Sequence, residues 1–179
     1  MSKKVLIIST SPRRGGNSDV LAEQFAQGAR EAGHEVEKIC LYDKTIGFCR
    51  GCLACQETHR CLIRDDADAI VQKMLLADVI AFATPIYYYE MCGQMKTMLD
   101  RANPLYSAHS AFRDVYLLAA AADAEESAVE GAVRGLEGWI SCFEKARLAG
   151  VVFGGGAGAV GAIQGSPALA KARAMGNAV

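Results

Sequence analysis

Four cysteines lie within the thirteen residues from Cys49 to Cys61, spaced C-x2-C-x2-C-x5-C. Thiols at i, i+3 and i+6 on a tight loop can converge on one face of an iron-sulfur cube, with a fourth closing the site from further along. The spacing leaves three outcomes open: a [4Fe-4S] cluster on Cys49, Cys52, Cys55 and Cys61, free or disulfide-bonded thiols, and zinc. Zinc is the least favoured, because structural zinc sites draw two Cys pairs from separate knuckles, not three evenly spaced thiols and a trailing one. His59 falls inside the same run and reads as a solvated surface side chain.

A second chemical motif opens the chain. Ser9-Thr10-Ser11-Pro12-Arg13-Arg14-Gly15-Gly16-Asn17-Ser18 combines hydroxyls, a guanidinium and two glycines ahead of a helix. Free N–H groups and the macrodipole at a helix N-terminus favour an anion, and a phosphate monoester fits. The turn has neither the Lys of a Walker loop nor the spaced glycines of a dinucleotide fingerprint, which argues against ATP and NAD as resident ligands. A plain capped turn would not need Arg13 followed by Gly15, Gly16, Asn17 and Ser18; close backbone approach to a ligand would. A third motif, Pro85-Ile86-Tyr87-Tyr88-Tyr89-Glu90, offers backbone amides to the edge of a flat ring and tyrosines to line it. The alternative is tyrosines packed as core or at a subunit contact, Tyr89 above all.

These motifs need elements to position them. Val5 to Ile8 is a continuous apolar run, as in a parallel strand covered on both faces. Asn17 or Ser18 can cap the following helix, whose stripe is Leu21, Phe25 and Ala29, with Gly33 ending it before a strand from about Glu35 to Leu41. Asp65 and Asp66 cap a helix carrying Ile70, Val71, Met74 and Leu75. Val79 to Ala83 is the third strand, followed by a helix from about Gly93 to Ala102 that Pro104 stops. Val115 to Ala121 is the fourth strand, 124–143 a long interrupted helix, and 146–153 the fifth strand. The Gly-rich residues 154–165 read as a flexible loop, with a last helix from Pro167.

Five strands alternating with helices predict an α/β fold: a doubly wound five-stranded parallel sheet, order 2-1-3-4-5, with helices on both faces. Ligands then bind beyond the strand ends where strand order reverses, between the first and third strands. Ser9 to Ser18 and Thr84 to Tyr89 both fall there. At 179 residues the chain predicts one domain over 1–179, with a Cys-rich insertion at about 47–64. Nineteen Lys and Arg against 20 Asp and Glu, with no basic block, exclude a nucleic-acid partner. The N-terminus enters a strand directly and no apolar run spans a membrane, so the expected location is the cytoplasm. An odd count of seven cysteines agrees with a reducing compartment.

Taken together, S-x-S-P-R-x-x-G-N-S at Ser9 to Ser18, the run Cys49 to Asp66, and T-P-I-Y-Y-Y-E-M-x-G-Q-M-K at Thr84 to Lys96 with Asp100-Arg101 resemble the NADPH-dependent FMN reductase family. The cysteine spacing resembles its iron-sulfur flavoprotein branch. The resemblance implies a flavodoxin-like fold. It implies an FMN phosphate held by Ser9, Ser11, Arg13, Asn17 and Ser18, with Pro12 and Gly16 in the same turn. Thr84, Pro85, Ile86, Tyr87 and Tyr88 would meet the isoalloxazine. The loop Ala119 to Asp123, with Ala120 and Asp123 in contact, would be the third flavin segment, although its alanines replace the Thr, Gly or Ser common in relatives. Cys92 replaces a small polar residue and reads as a packed or partly exposed thiol.

The implied activity is that of an FMN-dependent oxidoreductase with NAD(P)H as co-substrate and a small-molecule or protein electron partner. The flavin carries the chemistry and no side chain is assigned as catalytic. A non-catalytic electron carrier and a cysteine-based redox sensor are the rivals; flavodoxin-type carriers tend to be strongly acidic, and this chain has a net charge of -1. The Tyr-rich turn, Trp139 and Ile140 predict a homodimer or homotetramer.

Overall fold

The computed structural model describes residues 1–179. Strands β1 (Lys4–Ser9), β2 (Glu35–Cys40), β3 (Val79–Tyr87), β5 (Asp114–Ala120) and β6 (Arg147–Gly154) form a parallel sheet in the order β2-β1-β3-β5-β6. This is the expected 2-1-3-4-5 arrangement. The addition is β4 (Glu90–Met91), which pairs antiparallel with the end of β3.

Side-chain alternation along the three central strands divides the core in two. Leu6, Ile8, Ile80, Phe82, Val115 and Leu117 face one layer, whereas Val5, Ile7, Val79, Ala81, Tyr116 and Leu118 face the other. Helices α3 (Asp66–Leu76), α4 (Gly93–Arg101) and α5 (Glu130–Ile140) cover the first face through Ile70, Met74, Met95, Met98 and Leu136, and the short α2 (Cys55–Thr58) lies within the cysteine run. Helices α1 (Asn17–Glu31) and α6 (Pro167–Asn177) cover the second through Leu21, Phe25, Ala168 and Ala172. Each helix gives the sheet one apolar stripe, and the expected Leu21, Phe25 and Ala29 stripe of α1 is fully buried. No helix is long and apolar enough to cross a membrane.

Several expectations are corrected. The N-cap of α1 is Gly16, with no side-chain cap, so neither Asn17 nor Ser18 caps it. β3 runs four residues beyond Ala83, because the ring-edge motif is itself a strand that folds into a hairpin. The helix expected over 124–143 is α5 alone, preceded by a 3-10 turn at Glu126–Val129. The half-buried Trp139 packs its ring against Phe82, Phe112 and Phe143, and Ile140 is buried. The Gly-rich residues 154–165 are not a free loop. Ala157 and Ile163 are buried, and the side chain of Asn17 fastens the segment.

Candidate functional site

The phosphate-type turn and the aromatic turn meet, as the switch-point rule requires. A cavity of about 200 Å³ is lined by Ser11, Arg13, Gly16, Asn17 and Ser18 on one side and by Pro85, Ile86 and Tyr87 on another. Ala120 to Ala122 and Ala157 with Gly158 complete the wall. The first turn is built for close approach. Ser11 Oγ accepts from Arg13 N at 3.2 Å, folding the turn on itself, and a Cβ at Gly16 would run into that oxygen. The first N–H groups of α1 have no intrahelical acceptor. Beside them Ser18 Oγ is buried without any hydrogen-bond partner. A hydroxyl orphaned at a helix N-terminus, next to a guanidinium and a glycine, is what a bound phosphate would satisfy.

Of the expected flavin residues, Ser11, Arg13, Gly16, Asn17, Ser18, Pro85, Ile86, Tyr87 and Ala120 line the cavity. Ser9, Pro12, Thr84, Tyr88 and Asp123 do not. Ser9 is fully buried as the last residue of β1, and Pro12 points to solvent. Thr84 Oγ1 faces inward, accepting from Cys92 N at 3.1 Å and donating to the Pro85 carbonyl. Cys92 is fully packed, with its sulfur 3.2 Å from Thr10 Oγ1. The Asn17 side chain is committed elsewhere: Nδ2 donates to the carbonyls of Ala157 (2.7 Å) and Ala159 (2.8 Å), and Oδ1 accepts from Gly161 N (3.1 Å) and Ile163 N (3.4 Å). All of its donors and two lone pairs are used, which leaves its backbone N–H for a ligand. Ala157 and Gly158 were not expected at the site. Their only signal was the density of glycines, and they arrive through Asn17, about 140 positions away in sequence.

The tyrosines are not core. Ile86 pairs with Met91 and Tyr87 with Glu90, so Tyr88 and Tyr89 form a two-residue hairpin loop with φ of 50° and 63°. Two left-handed residues are what a type I′ turn demands, a place for Asn-Gly rather than two aromatics. Each costs about 1–2 kcal/mol of backbone strain, and Tyr88 is fully exposed besides. Surrounding contacts hold the turn: Tyr89 Oη donates to Asp123 Oδ2 at 3.3 Å, and Met91 N donates to Glu90 Oε1 at 2.7 Å. Asp123 therefore braces the hairpin from outside the cavity. No carboxylate, imidazole or thiol lines the cavity, so its residues can bind and orient a ligand but offer no acid–base pair.

The four cysteines line a second cavity, of about 470 Å³, which shares no residue with the first. Cys49 and Cys52 are exposed, Cys61 is half-buried and Cys55 is buried. Left-handed conformations at Gly51, Leu53 and His59 (φ 64°, 58° and 54°) turn the loop around the cavity. Two N–H groups already address sulfur: Asn103 Nδ2 reaches Cys55 Sγ at 3.1 Å, and Gly51 N reaches Cys49 Sγ at 3.4 Å. No three His, Cys, Asp or Glu side chains gather around one point. His59 is outside the cavity and bonds Ser107 Oγ at 3.2 Å.

The thiols are not beside the first cavity. Asp100, Arg101, Asn103 and Pro104, at the C-terminal end of α4, line the cysteine cavity, while Cys92, just before α4, contacts Thr10 in the phosphate turn. Nine helical residues at 1.5 Å each separate the two ends by about 14 Å. The cysteine cavity thus lies about one helix length from the phosphate-type turn.

The fold is that of a flavodoxin-like α/β protein, with a cavity between the paired turns at its switch point. The family model for NADPH-dependent FMN reductase matches residues 3–167, and the chain belongs to that family. It is 41% identical over 102 residues to an iron-sulfur flavoprotein of Methanocaldococcus jannaschii, covering 57% of this chain and 53% of the relative. A protein of Bacillus subtilis named as an NAD(P)H-dependent FMN-containing oxidoreductase is 36% identical over 98 residues, 55% of this chain and 51% of that one. The chain thus spans about half the length of the curated relatives it matches. Its fold is similar to an azoreductase from Bacillus anthracis (TM-score 0.75, 20% identity, 100% of both chains). It is also similar to an NAD(P)H:quinone oxidoreductase from Methanothermobacter marburgensis (TM-score 0.72, 19% identity, 99% of this chain and 98% of that one).

Proposed function

We propose that this chain is an FMN-dependent oxidoreductase whose flavin occupies the switch-point cavity, with NAD(P)H as reductant and a [4Fe-4S] cluster on Cys49, Cys52, Cys55 and Cys61. The observation that carries this reading is the unpartnered Ser18 hydroxyl, buried in the cavity where Ser11, Arg13 and Gly16 converge on the N-terminus of α1.

FMN, when bound, supplies hydride and electron chemistry that no side chain here can perform. The chain's own residues anchor and orient. Ser11, Ser18, Arg13 and the first N–H groups of α1 receive the phosphate; the 85–87 backbone receives the ring edge; the alanines at 120–122 leave room on the wall opposite. Asn17 keeps the 157–163 segment closed over the phosphate end. The second cavity suits a cluster because all four cysteines line it and two of them, Cys49 and Cys55, are already met by N–H donors from Gly51 and Asn103.

Self-association belongs to the same reading, supported by the exposed Tyr88 and Tyr89. So does a cytoplasmic location, which suits seven unpaired thiols. The test is the absorption spectrum of anaerobically purified protein, with FMN, iron and acid-labile sulfide assayed per chain. One FMN with four irons and four sulfides is expected. FMN without iron would remove the cluster, and iron without FMN would remove the flavin site.

A further inference from the structure

Arg101 is the largest fully buried side chain in the molecule. Its guanidinium fork is spent on three partners. Nη1 donates to the Gly47 carbonyl (2.8 Å) and Asp65 Oδ2 (2.6 Å); Nη2 donates to the Ile63 carbonyl (3.2 Å) and Asp65 Oδ1 (2.8 Å). Gly47 and Ile63 bracket the cysteine run, two residues before Cys49 and two after Cys61, so one side chain on α4 closes the loop at both ends. Asp65 is itself committed, capping α3 through Ala67 N (3.0 Å) and accepting from Gly47 N (2.8 Å).

One donor remains. Arg101 Nε is buried without a hydrogen-bond partner, an expensive condition for an ionised group. Arg101 and Cys61 both form part of the cysteine cavity's wall. A thiol is a weak acceptor for this N–H; a thiolate, the form in which cysteine binds iron, is a strong one.

We propose that Arg101 is a positioning residue for the cluster: its fork closes the cysteine loop, and its Nε–H donates to the Cys61 thiolate, holding a fixed positive charge beside the cluster that favours the reduced state. This rests on the cluster reading above. Hydrogen bonds to the sulfurs and local charge are among the levers that set cluster potentials. A purely structural Arg101 would hold the loop without moving the potential.

The test is the cluster midpoint potential of the full chain, loaded with FMN and cluster, in wild type, Arg101→Met and Asp65→Asn. Arg101→Met is expected to shift the cluster's equilibrium about tenfold toward the oxidised state, about 59 mV lower for a one-electron couple. Asp65→Asn retains a good helix cap but leaves the guanidinium charge less compensated, and is expected to shift the potential upward. If Arg101→Met holds no cluster, the sign of the Asp65→Asn shift decides. An Asp65→Asn cluster at or below the wild-type potential, or an Arg101→Met cluster unchanged from wild type, overturns the proposal while leaving the cluster reading intact. Wild-type protein without iron and sulfide overturns the cluster reading, and this proposal with it.

Discussion

The carbonyl oxygen of Tyr89 occupies the space that a Cβ on Gly131 would need. The strained hairpin at the ligand cavity is thus seated directly on the backbone of α5, with Gly135 one turn further along facing Met91 and Glu90. Strain in Tyr88 and Tyr89 persists because the surrounding structure over-determines it, and the absent side chain at Gly131 is part of that surrounding.

Gly131→Ala separates propensity from packing. Alanine gains up to about 1 kcal/mol in a helix interior, but here it must displace a backbone carbonyl, and overpacking costs about 1–3 kcal/mol. Net destabilisation and weaker FMN binding are expected, because the displaced hairpin carries Ile86 and Tyr87. Gly138, in the same helix with open space around it, is the control: its alanine variant should melt at or above wild type. Thermal melts and FMN titrations of both variants check this.

Ser18→Ala should leave the apoprotein as stable as wild type or slightly more so, because an unsatisfied buried hydroxyl is being removed. FMN affinity should nevertheless fall about tenfold or more, the worth of one hydrogen bond to a charged group. Equal FMN affinity in the variant would place the phosphate elsewhere.

Asn17→Ala removes four hydrogen bonds from the 157–163 segment, and a loss of about 1–3 kcal/mol is expected. Asn17→Asp should behave no better, since its carboxylate keeps the acceptor but repels the Ala157 and Ala159 carbonyls. Limited proteolysis should cut both variants between residues 155 and 165, where wild type resists.

These two residues show where the sequence was legible. The apolar runs of β1, β3 and β5 and the turn residues at their ends are local signals, and they placed the sheet and its switch point. The work of Asn17 and Gly131 is set by partners far along the chain: the 157–163 segment for one, the Tyr89 carbonyl for the other. The Arg101–Asp65 pair is likewise 36 residues apart. Nothing within a helical or strand period announces such contacts. The orientation of Thr84 was also invisible, since the strand's alternation turns it inward just where the motif resembles a ligand contact.

Acid should loosen the cysteine loop's base. Burial pushes the Asp65 carboxyl up, but the Arg101 fork and the N–H groups of Gly47 and Ala67 outweigh it and hold the group below its ordinary value. The stabilisation is therefore complete above that ordinary value, roughly pH 4, and is lost as pH falls through the lower folded-state value. Asp65→Asn lacks this titration. In urea melts it should trail wild type at pH 7 by on the order of 3 kcal/mol, the scale of a broken buried pair, and the gap should narrow toward pH 3. A constant gap across that range would contradict the account.

The most direct measurement is the affinity of the apoprotein for FMN against riboflavin, followed by quenching of flavin fluorescence. The two differ by the phosphate alone, and the Ser11 to Ser18 turn is held to exist for that phosphate. FMN should bind at least about a hundredfold more tightly, as two or more hydrogen bonds to a charged group would provide. Equal affinities, or no binding of either, would contradict a phosphate-anchored flavin at the switch point.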